Sequence, residues 1–168
     1  EHSITFSISK SKKVKKIYCI PGNAGTTELA ENIPLDINNF EKIYKFLNEK
    51  KIDLVIVGPE EPLVNGIVDY LEKFNIKVFG PNKTASQLEG SKIFTKNLCK
   101  KYNIPTAAFG VFQNIKDANK YLENAKYPIV IKADNLAAGK GVYICKNKIE
   151  AFLSVKEIFD GKFGEAKN

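Results

Sequence analysis

The stretch Pro128-Ile-Val-Ile-Lys-Ala-Asp-Asn-Leu-Ala-Ala-Gly-Lys-Gly-Val-Tyr-Ile-Cys145 holds two β-branched runs, Ile129–Lys132 and Val142–Cys145, around a loop of small residues. The runs read as paired antiparallel strands. Ala137, Ala138, Gly139, Lys140 and Gly141 occupy the connection. Small side chains let backbone N–H groups approach an anion, and glycine takes the dihedrals that aim several of them one way. Lys140 adds charge there, and Lys132 points to the face opposite Ile131. Two lysines and a donor-rich loop suit a polyphosphate; a solvated lysine–glycine hairpin would use the same residues. The stretch is not a P-loop, because Asp134 stands where that motif has glycine and Gly141 where it has Ser or Thr. Nor is it a dinucleotide fingerprint, since Ile144 replaces the third glycine.

Outward from this hairpin, Lys148–Asp160 reads as a helix carrying Ile149, Phe152, Leu153 and Phe159. Upstream, Thr106–Phe112 reads as a strand and Lys116–Ala125 as a helix with Ala118, Leu122 and Ala125 inward. Together they make a small α+β unit. Ser91 is placed to cap a helix with Phe94, Leu98 and Tyr102 on one face, ending before Ile104-Pro105. Thr84–Gly90 reads as a short helix or turn.

The first half of the chain alternates strand and helix with short turns. Lys16–Ile20 is a strand that stops at Pro21-Gly22-Asn23-Ala24-Gly25-Thr26-Thr27, either a plain turn or a phosphate nest. Asn32–Leu35 is a short strand, and Asp36 caps a helix with Phe40, Ile43, Tyr44 and Leu47 on one face. Asp53–Val57 is an uninterrupted apolar run, the pattern of a parallel strand buried on both faces. It ends at Gly58-Pro59-Glu60-Glu61-Pro62, and the helix that begins near Pro62 buries Ile67, Tyr70, Leu71 and Phe74. Lys77–Phe79 is the next strand. This order predicts a doubly wound α/β unit with right-handed crossovers, in which ligands lie beyond the carboxyl ends of the strands. The turns at Pro21 and Gly58 both fall there. Glu60 also suits a helix N-terminus on charge alone. Glu1–Lys13 fits a strand by alternation of Ile4, Phe6 and Ile8, and a helix by the spacing of Ile4 and Ile8.

The totals narrow the class. The 168 residues suit one domain or a little more, at 43% hydrophobic content. The chain has no Met and reads as part of something longer. No charged and apolar leader opens it and no apolar run is long enough to span a bilayer. The charge is +7, and all 26 basic residues are lysine. A nucleic-acid reader would show arginine forks, so these dispersed lysines read as solvated faces. Cys19, Cys99 and Cys145 form no metal spacing, which fits reduced thiols in a cytoplasmic protein. His2 is the only histidine, which excludes a histidine triad within these residues.

Six motifs occur in order: Pro-Gly-Asn-Ala-Gly-Thr from Pro21, Gly-Pro-Glu-x-Pro-Leu-Val from Gly58, Phe-Gly-Pro from Phe79, Leu-Glu-x-Ser-Lys-x-Phe-x-Lys from Leu88, Ile-Pro-Thr-Ala from Ile104, and the hairpin loop. Together they resemble the glycinamide ribonucleotide synthetase (phosphoribosylamine–glycine ligase) family of ATP-grasp enzymes over nearly the whole chain. Asn135 departs from that pattern, standing where the family has glycine.

The resemblance implies an α/β fold: a doubly wound parallel-sheet pre-ATP-grasp domain over 1–90, a linking helix over 91–105, and a partial α+β ATP-grasp subdomain over 106–168. It implies helix for the ambiguous opening segment. It implies ligation of glycine to 5-phosphoribosylamine with ATP, through a glycyl phosphate, in purine biosynthesis, with Mg²⁺ or Mn²⁺ and no protein nucleophile. Lys92, Lys132, Asp134, Ala137, Ala138, Gly139, Lys140 and Gly141 would then face ATP. Glu1, Gly22, Asn23, Gly25, Gly58 and Glu60 would face phosphoribosylamine. The family's opening strand, with a glycine-rich turn ending in arginine, would precede Glu1, leaving an exposed sheet edge and poor stability. The adenine-gripping segment and the acidic metal ligands would follow Asn168. The 168 residues alone are therefore expected not to turn over, and the complete enzyme to be a cytoplasmic monomer without nucleic-acid or membrane partners. Two other readings use some of the same residues: another ATP-grasp carboxylate–amine ligase or carboxylase, and a non-catalytic nucleotide-binding module.

Overall fold

The computed structural model describes residues 1–134 and 141–163. The chain divides into two compact units, Glu1–Ser86 and the residues from Gln87 onward.

Unit 1 opens with α1 (His2–Ser9), the helical alternative for that segment. Two pairs of short parallel strands follow. β1 (Tyr18–Cys19) lies beside β2 (Glu31–Asn32), and β3 (Val55–Ile56) beside β4 (Val78–Phe79). Helix α2 (Phe40–Glu49) connects the pairs, and α3 (Glu60–Asn65) and α4 (Ile67–Glu72) cross between β3 and β4. Parallel neighbours need such crossovers, because a tight turn cannot reverse the chain twice. Ile43 and Leu47 of α2 meet Leu63, Ile67, Val68 and Leu71 in a buried cluster, on which Ile20, Val55, Val57 and Val78 pack.

Several sequence expectations are corrected in this unit. Asn39, not Asp36, caps α2: its side chain accepts the Lys42 N–H at 3.1 Å, while Asp36 closes a turn onto the Asn38 N–H at 2.9 Å. The strand at Asn32 begins one residue earlier and stops sooner than expected. The single helix expected after Pro62 begins at Glu60 and breaks at Gly66, whose φ of 96° is left-handed and ends α3. Within α4, Ile67 and Leu71 are buried as predicted and Tyr70 is half-buried, whereas Phe74, past the end of the helix, is exposed and stacks on Tyr44 with ring centroids 4.0 Å apart. The apolar run around β3 is not buried on both faces. Leu54 and Ile56 are 53% and 38% exposed, since among the described residues β3 pairs only with β4 and its cluster lies on the Val55–Val57 side.

Unit 2 holds α6 (Lys92–Lys101), α7 (Ile115–Leu122), the antiparallel hairpin β5 (Ile129–Lys132) and β6 (Val142–Cys145), and α8 (Lys148–Phe159). Helix α5 (Lys83–Gly90) leads into it. Ala118, Leu122, Cys145, Ala151 and Val155 form its core, with Ile129, Ile131 and Tyr143 packed against it. Asn114 and Asn147 cap α7 and α8 through their side chains. Thr106–Phe112, expected as a strand, pairs with no strand among the described residues. Phe94 of α6 and Tyr102, the residue that ends it, are exposed, as are Ile149 and Leu153 of α8, which buries Ala151, Ser154, Val155 and Ile158 instead. No helix among the described residues is long and apolar enough to cross a membrane.

Candidate functional site

In unit 1, the predicted residues collect around the end of β1. Gly22 has φ 81°, and a methyl group there would overlap the Asn32 side chain at 2.2 Å, so only glycine fits this turn. The Asn23 side-chain oxygen accepts the N–H groups of Gly25 at 2.9 Å and Thr26 at 3.2 Å, folding the turn on itself. Its amide nitrogen donates to the Glu1 carboxylate at 3.0 Å. Thr26, fully buried, accepts the Asn23 N–H at 2.8 Å. Asn32 closes the network by donating to the Asn23 carbonyl at 2.9 Å. Asn23 therefore builds the turn with the oxygen that a ligand would otherwise use. Asn32 escaped the sequence reading, because a strand-end asparagine carries no periodic signal.

The first turn of α1 joins the same region. A Cβ on Gly25 would come within 3.0 Å of the His2 ring, and one on Gly58 within 3.3 Å of Ile4 Cδ1. Thr5, buried, lies 3.2 Å from the Cys19 sulfur. Glu1, Gly22, Asn23 and Gly25 are thus in one cluster, with Gly58 against the same helix. Glu60 opens α3 at the exit of β3. Its neighbour Glu61 accepts from the Asn38 side chain at 2.8 Å, whereas the Glu60 carboxylate takes no hydrogen bond or ion pair among the described residues. That leaves an exposed carboxylate beside the carboxyl end of a parallel strand.

In unit 2, the hairpin presents two different faces. Ile129 and Ile131 turn to the core; Val130, Lys132, Val142 and Ile144 turn to solvent. Val130 pairs with Ile144 and Lys132 with Val142, so an exposed apolar strip runs up to a lysine. Beyond Lys132, Ala133 donates its N–H to the Gly141 carbonyl at 2.9 Å, and both residues are buried. Asp134 then reaches α6. Its carboxylate accepts the Ile93 N–H and the Ser91 hydroxyl, each at 3.0 Å. Lys92, the first residue of α6, is thereby brought to the exit of β5, two residues beyond Lys132. Lys96 donates to the Thr106 hydroxyl at 2.6 Å and the Ala107 carbonyl at 3.1 Å, tying the segment after Pro105 to α6. The sequence reading assigned Lys96 no role, and only its motif position singled it out. Ala137, Ala138, Gly139 and Lys140, with the departing Asn135, lie outside the described residues.

A crossover-wound parallel unit followed in the chain by a lysine-bearing hairpin with helices on one face is an ATP-grasp architecture. Solved structures share it. That of phosphoribosylamine–glycine ligase from Thermotoga maritima superposes with a TM-score of 0.76 at 32% identity, covering 96% of this chain and 37% of that one. The biotin carboxylase domain of the Hydrogenobacter thermophilus 2-oxoglutarate carboxylase shares the fold with a TM-score of 0.72 at 20% identity, over 95% of this chain and 38% of that one. Two family models divide the chain between them: phosphoribosylglycinamide synthetase, N domain, matches residues 1–89, and phosphoribosylglycinamide synthetase, ATP-grasp (A) domain, residues 90–168. The chain belongs to the phosphoribosylglycinamide synthetase family. Among its relatives, phosphoribosylamine–glycine ligase of Mesorhizobium japonicum is 51% identical over 99% of this chain and 39% of its own length. That of Caldanaerobacter subterraneus is 49% identical over 95% of this chain and 37% of its own length. The chain thus spans well under half the length of the relatives it matches.

Proposed function

We propose that these residues serve an ATP-dependent ligase that joins glycine to 5-phosphoribosylamine in purine biosynthesis. ATP phosphorylates the glycine carboxylate, and the amine of phosphoribosylamine displaces phosphate from the acyl phosphate. The first step is catalysed by positioning and charge neutralisation, the second by a good leaving group held near its nucleophile. Lys92 and Lys132 neutralise the triphosphate, with Ala137–Lys140 and Gly141 around it; the apolar strip of Val130, Val142 and Ile144 suits the flat face of a purine. Glu1, the turn from Gly22 to Gly25, and the Gly58–Glu60 exit bind phosphoribosylamine, with Glu60 facing its hydroxyls or amine. The enzyme works in the cytoplasm as a monomer, without nucleic acid or membrane.

The observation that carries this reading is the meeting of the Lys92 end of α6 with the Lys132 end of β5 through Asp134. Family membership and the names of its relatives support the choice of substrates. Mg²⁺ or Mn²⁺ would neutralise phosphate charge in the whole enzyme. Among the described residues no group of three or more His, Cys, Asp or Glu side chains is placed to hold a metal.

The test is a chimera in which these residues replace the matching segment of the 51% identical relative. It should support growth of a glycinamide ribonucleotide synthetase-deficient strain without purines, and K132A should abolish that growth. A chimera that folds but gives no ligation in vitro with ATP, glycine and phosphoribosylamine would overturn the assignment.

A further inference from the structure

The first N–H groups of a helix have no partner within it and sit at its positive end, so a helix start attracts anions. At α6 that position is filled by the chain itself. Ser91 caps the helix conventionally, its oxygen accepting the Phe94 N–H at 3.0 Å. A capping box would add a carboxylate from the third helical residue, but that residue is Phe94. The carboxylate comes instead from Asp134, 41 residues beyond Ile93, and binds the Ile93 N–H and the Ser91 hydroxyl.

We propose that Asp134 is a positioning residue: an internal anion that closes the start of α6, holds Lys92 at the exit of β5, and keeps ligand phosphates off the α6 amides. Contact with the phosphates at this corner then falls to the lysine ammonium groups. This rests on the ATP reading above and changes the role expected for Asp134. Its oxygens are turned to an N–H and a hydroxyl, and a bare carboxylate aimed at a triphosphate would repel it. The carboxylate also fixes the backbone from which Lys92 springs, so losing either residue removes the same contribution.

Two measurements on the chimera described above test this. In the first, amide hydrogen exchange is followed at Ile93, with Val155 of the α8 core as a folding control. D134A should speed exchange at Ile93 by about tenfold or more while Val155 stays protected, and added formate should slow it again. Unchanged Ile93 exchange with Val155 protected would overturn the proposal. If D134A does not fold, D134N decides by the same criterion, since it keeps one acceptor oxygen and loses the charge: partial loss of Ile93 protection supports the clamp, and none refutes it. The second measurement is a Mg-ATP affinity cycle. K92A and D134A should each weaken binding about tenfold, and the double variant should be no weaker than about threefold beyond K92A. A hundredfold, additive loss would refute positioning through Lys92. If the unaltered chimera binds no Mg-ATP, the ATP reading fails, and the exchange result alone decides the clamp.

Discussion

The Thr26 hydroxyl donates to Asn32 Oδ1 at 2.7 Å in the interior of unit 1, linking the turn after β1 to the end of β2. The two parallel strands carry only two residues each, so side-chain bonds across their ends hold them as much as the ladder does.

Removing this hydroxyl leaves the Asn23 N–H and the Asn32 oxygen without their partner in a partly buried setting. T26V is therefore expected to destabilise unit 1 by about 1–3 kcal/mol, and T26S by much less. Urea unfolding followed by a probe in unit 1 checks it. Equal midpoints for T26V and the parent would show that the network contributes nothing.

Gly22 tests the same turn through the backbone. A left-handed φ costs a side-chain-bearing residue about 1–2 kcal/mol, and the added methyl also displaces Asn32. G22A should lower stability by about 2 kcal/mol or more, whereas alanine at Gly110, whose nearest contacts would be the Phe112 ring and whose φ is not left-handed, should cost less. Chemical denaturation of the two variants side by side gives the comparison.

A third prediction concerns pH. The Tyr143 hydroxyl donates to Glu157 at 2.6 Å, and Lys162 pairs with the same carboxylate at 2.5 Å. The hydrogen bond from Lys162, then that from Tyr143, holds the Glu157 pKa below its usual value. The hydrogen bond to Glu157 raises Lys162, and burial followed by the Glu157 bond raises Tyr143. Because the folded pKa of Glu157 is depressed, its contribution is present above the unfolded value near ~4.3 and is lost as pH falls through the folded value. E157Q should melt below the parent at pH 7, and the gap should close on acidification below ~4.3. A gap that persisted unchanged into strong acid would contradict the assignment.

Lys132 separates binding from folding. It is exposed and outside the core, so K132A should leave the melting temperature nearly unchanged while weakening Mg-ATP by about tenfold or more in the chimera. Calorimetric titration of the folded variant is the check; undiminished affinity would remove Lys132 from the site.

The hairpin was legible because its alternation is strict: Ile129 and Ile131 could face only a core, and Val130 and Lys132 only the other side. The order of strands and helices was legible from Pro, Gly and Asn punctuation. What failed shares a cause. The apolar run at Leu54–Ile56 states what the strand is built to bury, not whether the neighbours present cover it. Asp36 and Asn39 are both good caps, and the packing of Ile43 and Leu47 picked the second. Thr106–Phe112 has strand composition, but a ladder needs a partner, which sequence alone does not supply. Lys92 and Lys132 are proposed for the site through their motifs, while the Asp134–Ser91 link spans too much chain for any local pattern to show it.

In the proposed site, α6 and β5 bring two lysines to one nucleotide. A crystal structure of the chimera with Mg²⁺ and a non-hydrolysable ATP analogue tests it most directly. Lys92 Nζ and Lys132 Nζ should both lie about 3 Å from phosphate oxygens, with Asp134 still bonded to Ile93. A bound nucleotide whose phosphates touch neither lysine would contradict it.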